Sequence, residues 1–315
     1  MTVTGPLAPD DLGHTVTSVH LVSDLGDGAP GGPPVTMDLL GALTLGAPNR
    51  DDLRLTEETA RPELADFAAL GGGAVVETTC PDLGRDPAAL ARLARATGVH
   101  VIMGCGRHSA PADSSAEDLA EEIVRDLRDG AGGVRAGVIG RIGALDPDRP
   151  ADRALAEAVA DAARRTGAPV LVDRGAADTV LDLLAAVGGD AGRVAVGGCD
   201  ALATDVGALA AFAGRGAYVQ FDGLGRLPTV YSEVDDQDVA AAVLALAGRG
   251  HAERILLSPG VSRKSDLKGF GGGGYGFVVQ QFAPYLGFTG ADEALLHTLT
   301  VTNPQRWLTI TEEPA

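Results

Sequence analysis

Lysine is almost missing from this chain. Of its 25 Lys and Arg residues only Lys264 and Lys268 are lysines, a bias that fits a GC-rich genome alongside 44 glycines and abundant alanine. Cysteine is scarce as well. Cys80, Cys105 and Cys199 are odd in number and far apart, with no CxxC spacing, which argues against a secreted disulfide scaffold and for reduced thiols. Nowhere do about 18 apolar residues run uninterrupted, so no membrane-spanning helix is expected. The opening MTVTGPLAPDDLG lacks the basic segment and apolar core of a signal peptide, and a cytoplasmic protein is the expectation. Excess positive charge is absent too: at −18 the chain should repel phosphate backbones and anionic membranes, so neither nucleic acid nor membrane is an expected partner. There is no GxSxG and no HExxH. The run GFGGGGYG (269–276) lacks the strand, helix and acidic residue of a dinucleotide motif and reads as a mobile lid or turn, so no cofactor is expected.

What is present is regular. The chain is 45% hydrophobic, and short β-rich runs alternate with longer helical patterns. Strands are predicted at 17–22, 74–79, 99–104, 136–143, 169–174, 193–198, 217–223 and 254–260. Several are almost wholly apolar, as strands covered on both faces should be. Between them, SSAEDLAEEIVRDLRDG (114–130) places Leu119, Ile123 and Leu127 at helical spacing with acids opposite, and Gly130 as a stop. ADRALAEAVADAARRTG (151–167) is a second such stretch. A Gly/Pro-rich loop occupies about 25–50 after the first strand, including DGAPGGPPVTMD (27–38). No repeat or linker splits the chain, and residues 1–315 are predicted to form a single α/β domain, a (β/α)8 TIM barrel.

In such a barrel, chemistry sits at the C-terminal ends of the strands. That rule selects His20, Glu77 and Cys80, Cys105 to His108, Arg141, Asp173 and Arg174, Cys199 and Asp200, Asp222, and Ser258 to Lys264. Arg141 and Asp173 stand out, because a charge inside an apolar strand costs several kcal/mol unless it is paired.

The ordered matches GPLAPDDLGHTVTSVHL, VVETTCPDLGRDPAALARLARATGVHVIMGCG (75–106), AGVIGRIG, TGAPVLVD (166–173), ILLSPGVSRKSDLKGFGGGGYGFVVQQFAPYL (255–286) and NPQRWLT (303–309) carry a resemblance. Along nearly its whole length the chain resembles the phosphotriesterase-related family of the amidohydrolase superfamily. That resemblance implies an amidohydrolase-like barrel and a homodimer. It also implies hydrolysis of phosphotriesters, lactones or related esters by two divalent ions bridged by hydroxide. The ligands it implies are an HxH pair on the first strand, a carboxylated lysine or glutamate on the fourth, single histidines on the fifth and sixth, and an aspartate on the eighth.

Here those positions carry Ser18 and His20, Arg141, Asp173, Gly198 and Gly260. Only His20 is retained. A guanidinium cannot ligate a metal, and both lysines lie beyond the eighth strand, so no metal ligands are predicted. One cation, one anion and one imidazole would balance without metal. Arg141 and Asp173 on neighbouring strands are expected to pair, and the pair could be bidentate. Two readings follow for them: a plug filling the emptied site, or acid–base chemistry by His20 and Asp173 with Arg141 binding an oxyanion. Ser18, His108, Asp200, Asp222, Ser258 and Arg263 are the candidate substrate contacts, with helix capping as the alternative for Asp200 and Asp222. Arg174 should point away from Asp173. The cysteines read as buried fillers. The leading expectation is a metal-independent enzyme acting on a small molecule by hydrolysis, elimination, isomerisation or cyclisation. A pseudoenzyme that binds a ligand or partner, and a metal-dependent lactonase or phosphotriesterase with a rearranged site, are the alternatives.

Overall fold

The computed structural model describes residues 1–26, 32–229 and 232–310. Part of the predicted Gly/Pro loop, 27–31, lies outside them. Eight parallel strands follow one another in spatial order: β1 (His14–Val19), β2 (Gly72–Glu77), β3 (His100–Cys105), β4 (Val138–Ile142), β5 (Val170–Asp173), β6 (Val194–Gly197), β7 (Tyr218–Phe221) and β8 (Ile255–Leu257). All eight fall within the predicted segments or overlap them. The predicted helices are present as Ala116–Arg128, which buries Leu119, Ile123 and Leu127, and Pro150–Thr166. Each ends short of a glycine in the left-handed region, Gly130 (φ 85°) and Gly167 (φ 64°), where a side chain would be strained. Ser115 caps the first of these helices through its side chain, and Asp86, Asp173, Asp205 and Asp235 cap others.

Alternation along the strands sorts their residues into two cores. Ala74, Val76, Ile102, Val138, Leu171, Ala195, Tyr218 and Leu256 fill the barrel interior, and Leu12, Trp307 and Leu308 plug its lower end. A larger cluster, including Val16, Val75, Val101, Ile139, Val170 and Val219, packs the outer face against the helices. Above the inner layer the inward positions turn polar, with Ser18, Asp173, Gln220, Asp222 and Ser258 all at the upper end.

The barrel is closed between β8 and β1 by a serine clamp. Ser258 is fully buried; its hydroxyl donates to Ser18 O at 2.7 Å and accepts from Ser18 N at 3.0 Å. His20 N donates to Val261 O at 2.8 Å just above. This commits Ser258 to the seam, so its predicted part in substrate contact gives way to a structural one. Ser258→Ala is expected to cost about 1–3 kcal/mol, since Ser18 N and O are left unpaired in a buried seam. Urea unfolding of the purified variant measures this, and an unchanged midpoint would show that backbone pairing alone closes the barrel.

The Gly-rich run after β8 is a pinned turn and not a mobile lid. Glu63 accepts from Lys268 N at 3.0 Å and Gly269 N at 2.8 Å, Lys268 Nζ reaches Asp66 at 2.6 Å, and Tyr275 Oη donates to His20 O at 2.8 Å. Gly269 N is spent on that carboxylate and the amides of Phe270, Gly271, Gly272 and Gly274 on backbone carbonyls of the same turn, which leaves these five unavailable to cradle a phosphate.

Candidate active site

Arg141 sits near the end of β4 and forks between two carboxylates on other strands. Nη2 meets Asp173 Oδ2 at 2.9 Å and Nη1 meets Asp222 Oδ2 at 2.7 Å. The expected pairing with Asp173 is present, but the bidentate form is not, because each guanidinium nitrogen serves a different acid. The predicted balance of charges is corrected in the same way: the pocket holds a second anion. Asp222 is nearly inaccessible, with its side chain 4% exposed, and it is saturated, taking Gly198 N on Oδ1 at 3.0 Å and Gln220 Nε2 on Oδ2 at 3.1 Å. It therefore orients Arg141 and is removed from the substrate contacts. Asp173 is 29% exposed; its Oδ1 caps the following helix through Gly175 N at 3.0 Å. Nearby acids raise the Arg141 pKa, Asp222 foremost.

Asp200 is likewise engaged by backbone amides. Its carboxylate accepts from Asp222 N at 2.9 Å and Gly223 N at 3.0 Å. Burial, with the charge of Asp222 beside it, pushes its pKa up to about 6. Its carboxylate is committed to the strand end carrying Asp222, while the residue lines a cleft with Gly223, Arg226 and Leu227. Arg263 is an exposed residue whose guanidinium lies 3.7 Å from Asp52. His108 does reach the rim: its amide is held by Asp82 at 3.1 Å, and a Cβ on Gly143 would stand 2.9 Å from its Nε2. Arg174, expected to point away from Asp173, keeps its stem near the pocket, with Cδ 4.0 Å from where a Cβ on Gly198 would lie.

His20 follows β1 and is half-buried at the floor. Its Nδ1 lies 2.8 Å from Thr79 Oγ1. Desolvation, with the positive charges of Arg141 and Arg226 next in effect, lowers its pKa to about 3, so the ring is neutral across the physiological range. Thr79 in turn donates to Glu77 Oε1, which also takes Leu21 N at 3.3 Å. Glu77 is fully buried, and burial raises its pKa to about 7. Glu77 falls on the list of strand-end residues, but nothing in sequence ties it to His20. Thr79 and Arg226, whose Nη2 donates to Gly260 O at 2.6 Å, carry no signal of their own there. The signal for Glu77 is the one that picks out Arg141: an acid ending the apolar run AVVE must find partners. All three thiols are buried fillers, with Cys80 Sγ 3.5 Å from Arg141 O, and burial raises their pKa values, which keeps them protonated.

The Phosphotriesterase family model matches residues 1–308. The chain belongs to that family. It is 31% identical to an N-acetyltaurine hydrolase of Salmo salar over 98% of this chain and 97% of that protein. Among solved structures it is similar to a resiniferatoxin-binding protein from Rhodobacter sphaeroides, at 35% identity and a TM-score of 0.91 over 98% of this chain and 94% of that one. It is also similar to the phosphotriesterase homology protein of Escherichia coli, solved with phosphate in its active site, at 28% identity and a TM-score of 0.80 over 95% and 100%.

The two-metal centre implied by the family does not fit these residues. At the bridging position stands Arg141, whose nitrogens already take an oxygen of Asp173 and one of Asp222. The histidine position on β6 is Gly198, where even a Cβ would come within 3.3 Å of Arg141 Nη2. The aspartate position on β8 is Gly260, where a Cβ would stand 1.7 Å from Asp222 O. Among the described residues no group of three or more His, Cys, Asp or Glu is arranged to hold a metal ion, and no helix is long and apolar enough to cross a membrane.

Proposed function

We propose that the chain is a metal-independent hydrolase of a small acyl compound, an amide or an ester, acting at the upper mouth of the barrel. The observation that carries this reading is the Arg141 fork: a fixed cation held between Asp173 and Asp222 replaces the bridging ligand, so positive charge is supplied by the chain itself. Hydrolysis is favoured over elimination, isomerisation and cyclisation because the similar N-acetyltaurine hydrolases are named for hydrolysis of a small acylated amine. His20, neutral at physiological pH, takes the proton of the attacking water at Nε2. Asp173 keeps one face open to the pocket and orients the substrate, and the proton taken up at His20 Nε2 is returned to the leaving group. Arg141 stabilises the oxyanion that forms as water adds to the carbonyl. Ser18 and His108 remain as contacts at the floor and the rim. A homodimer is the expected assembly, and sedimentation reads it directly.

The test combines metal analysis with kinetics on small N-acyl amides, including N-acetyltaurine, and on lactones. Turnover is expected to survive a chelator, with less than one tightly held ion per chain. His20→Ala and Asp173→Asn are each expected to lower kcat/KM about 10²–10⁴-fold. Undiminished turnover in both variants, or loss of turnover on chelation with recovery on adding zinc, defeats the reading.

A second reading has its own support. A family relative is named for binding resiniferatoxin, and this chain is 35% identical to it. Binding without conversion would show as a rise in melting temperature with a ligand that is recovered unchanged after long incubation.

A further inference from the structure

We propose that Glu77 is the final proton acceptor of this site, reached from the pocket through Thr79 and His20. This rests on the reading that His20 faces the reacting water. Alternation places Ala74 and Val76 of β2 inside the barrel and Val75 outside it, so Glu77 shares the outer face and cannot touch a substrate. It is nevertheless joined to the pocket by an unbroken chain of hydrogen bonds: His20 Nδ1 to Thr79 Oγ1 at 2.8 Å, and Thr79 Oγ1 to Glu77 Oε1. With Thr79 donating to the carboxylate, its oxygen accepts from His20, so the imidazole carries its proton on Nδ1 and presents a lone pair at Nε2.

Each link can reverse. When water gives a proton to Nε2, the Nδ1 proton passes to Thr79 Oγ1 and the Thr79 proton passes to Glu77 Oε1. One N–H and two O–H bonds form, while one water O–H, the Nδ1–H and the old Thr79 O–H break. The imidazole changes tautomer and is never charged. That matters because an imidazolium is opposed here by burial and by Arg141, Arg226 and His108. The carboxylate suits the acceptor role, since burial raises its proton affinity toward neutrality and its second oxygen, Oε2, is buried with no partner among the described residues. The groups facing it are Arg85, which favours the anion, together with Cys80 and Tyr275, whose own pKa values are raised by burial.

The test reads the tautomer, independently of turnover. Full-length protein with 15N-labelled histidines is followed by two-bond 1H–15N correlation spectra from about pH 5 to about pH 9, with His20→Gln assigning the signals. In the wild-type protein His20 is expected to stay neutral and to exchange its bare nitrogen with a midpoint of about 7: Nε2 bare above, where Glu77 is ionised, and Nδ1 bare below. Glu77→Gln and Thr79→Val should each hold one tautomer throughout, and Thr79→Ser should restore the exchange. Glu77→Gln should also lower kcat about 10²-fold with little change in KM. A doubly protonated His20 within this range, or an exchange that persists in Glu77→Gln, overturns the relay. An exchange as described, beside full turnover in His20→Ala, leaves the hydrogen-bonded chain in place but removes His20 from the reaction, which defeats the reading on which the relay rests and leaves hydrolysis to other residues.

Discussion

Replacing Arg141 by methionine is expected to cost about 3–5 kcal/mol of folding stability, the usual penalty for leaving a buried charge without its partner. Most of that cost falls on Asp222, whose side chain is 4% exposed, against 29% for Asp173. Asp222 would keep Gly198 N and Gln220 Nε2 as donors but lose the one full positive charge it touches among the described residues. Asp173 can turn toward water and stays tied to its helix through Gly175 N. Adding Asp222→Asn to Arg141→Met should therefore return a large part of the loss, whereas adding Asp173→Asn should return little. The two double variants, unfolded in urea beside the single ones, give the coupling energies directly. Equal recovery by both would mean that the cation serves the two acids alike. No loss in Arg141→Met would mean that the fork plays no part in holding the emptied site together. In either case Arg141→Met should abolish turnover, because the oxyanion loses its partner.

The eight strands were legible because apolar runs of strand length alternate with amphipathic helices, and that pattern is local. Arg141 and Asp173 were legible for a related reason: each is a charge at the end of a short apolar segment, and sequence alone shows that each needs a partner. Asp222 was harder. Its strand YVQF does not neighbour VIGRI in the sheet, since β5 and β6 stand between them, and the contact with Arg141 is made across the barrel by the length of the arginine side chain. Adjacency in the sheet predicts one of the two pairs and is blind to the other. Asp200 was open between a cap and a substrate contact for a different reason. Its position beyond β6 is on the functional rim, but its carboxylate turns to the amides of Asp222 and Gly223, a backbone demand that side-chain patterns do not record. Glu77 was selected as a strand-end acid, but its alternation points it out of the pocket, so its link to His20 through Thr79 was not legible.

The missing metal ligands are built into the backbone, which sets a strong expectation for Gly260→Asp. Gly260 has φ of 56°, in the left-handed region that side chains seldom adopt, and its Cβ would stand 1.7 Å from the carbonyl oxygen of Asp222 and 2.9 Å from Arg226 Nη2. A backbone oxygen cannot swing aside as a side chain can. The segment after β8 and the end of β7 would have to separate, disturbing the strand end that holds Asp222 against Arg141. The variant is expected to lose about 3 kcal/mol or more, from left-handed strain and overpacking together. It should gain no metal, because Arg141 still fills the centre. Gly198→Ala is the milder comparison: its φ of 73° is also left-handed, but the near atom is Arg141 Nη2 at 3.3 Å, the far end of a flexible side chain. Its loss should be about 1–2 kcal/mol, close to the strain alone. Urea midpoints rank the two variants, and metal analysis after dialysis against zinc measures what each has gained. A Gly260→Asp protein as stable as the parent, holding one or more ions per chain, would mean that the site opens readily and accepts a metal after one substitution. The predicted order, Gly260→Asp well below Gly198→Ala and both free of metal, would mean that the left-handed backbone at these two positions now excludes the ligands the family uses, and that reversal requires the chain path to change before any side chain does.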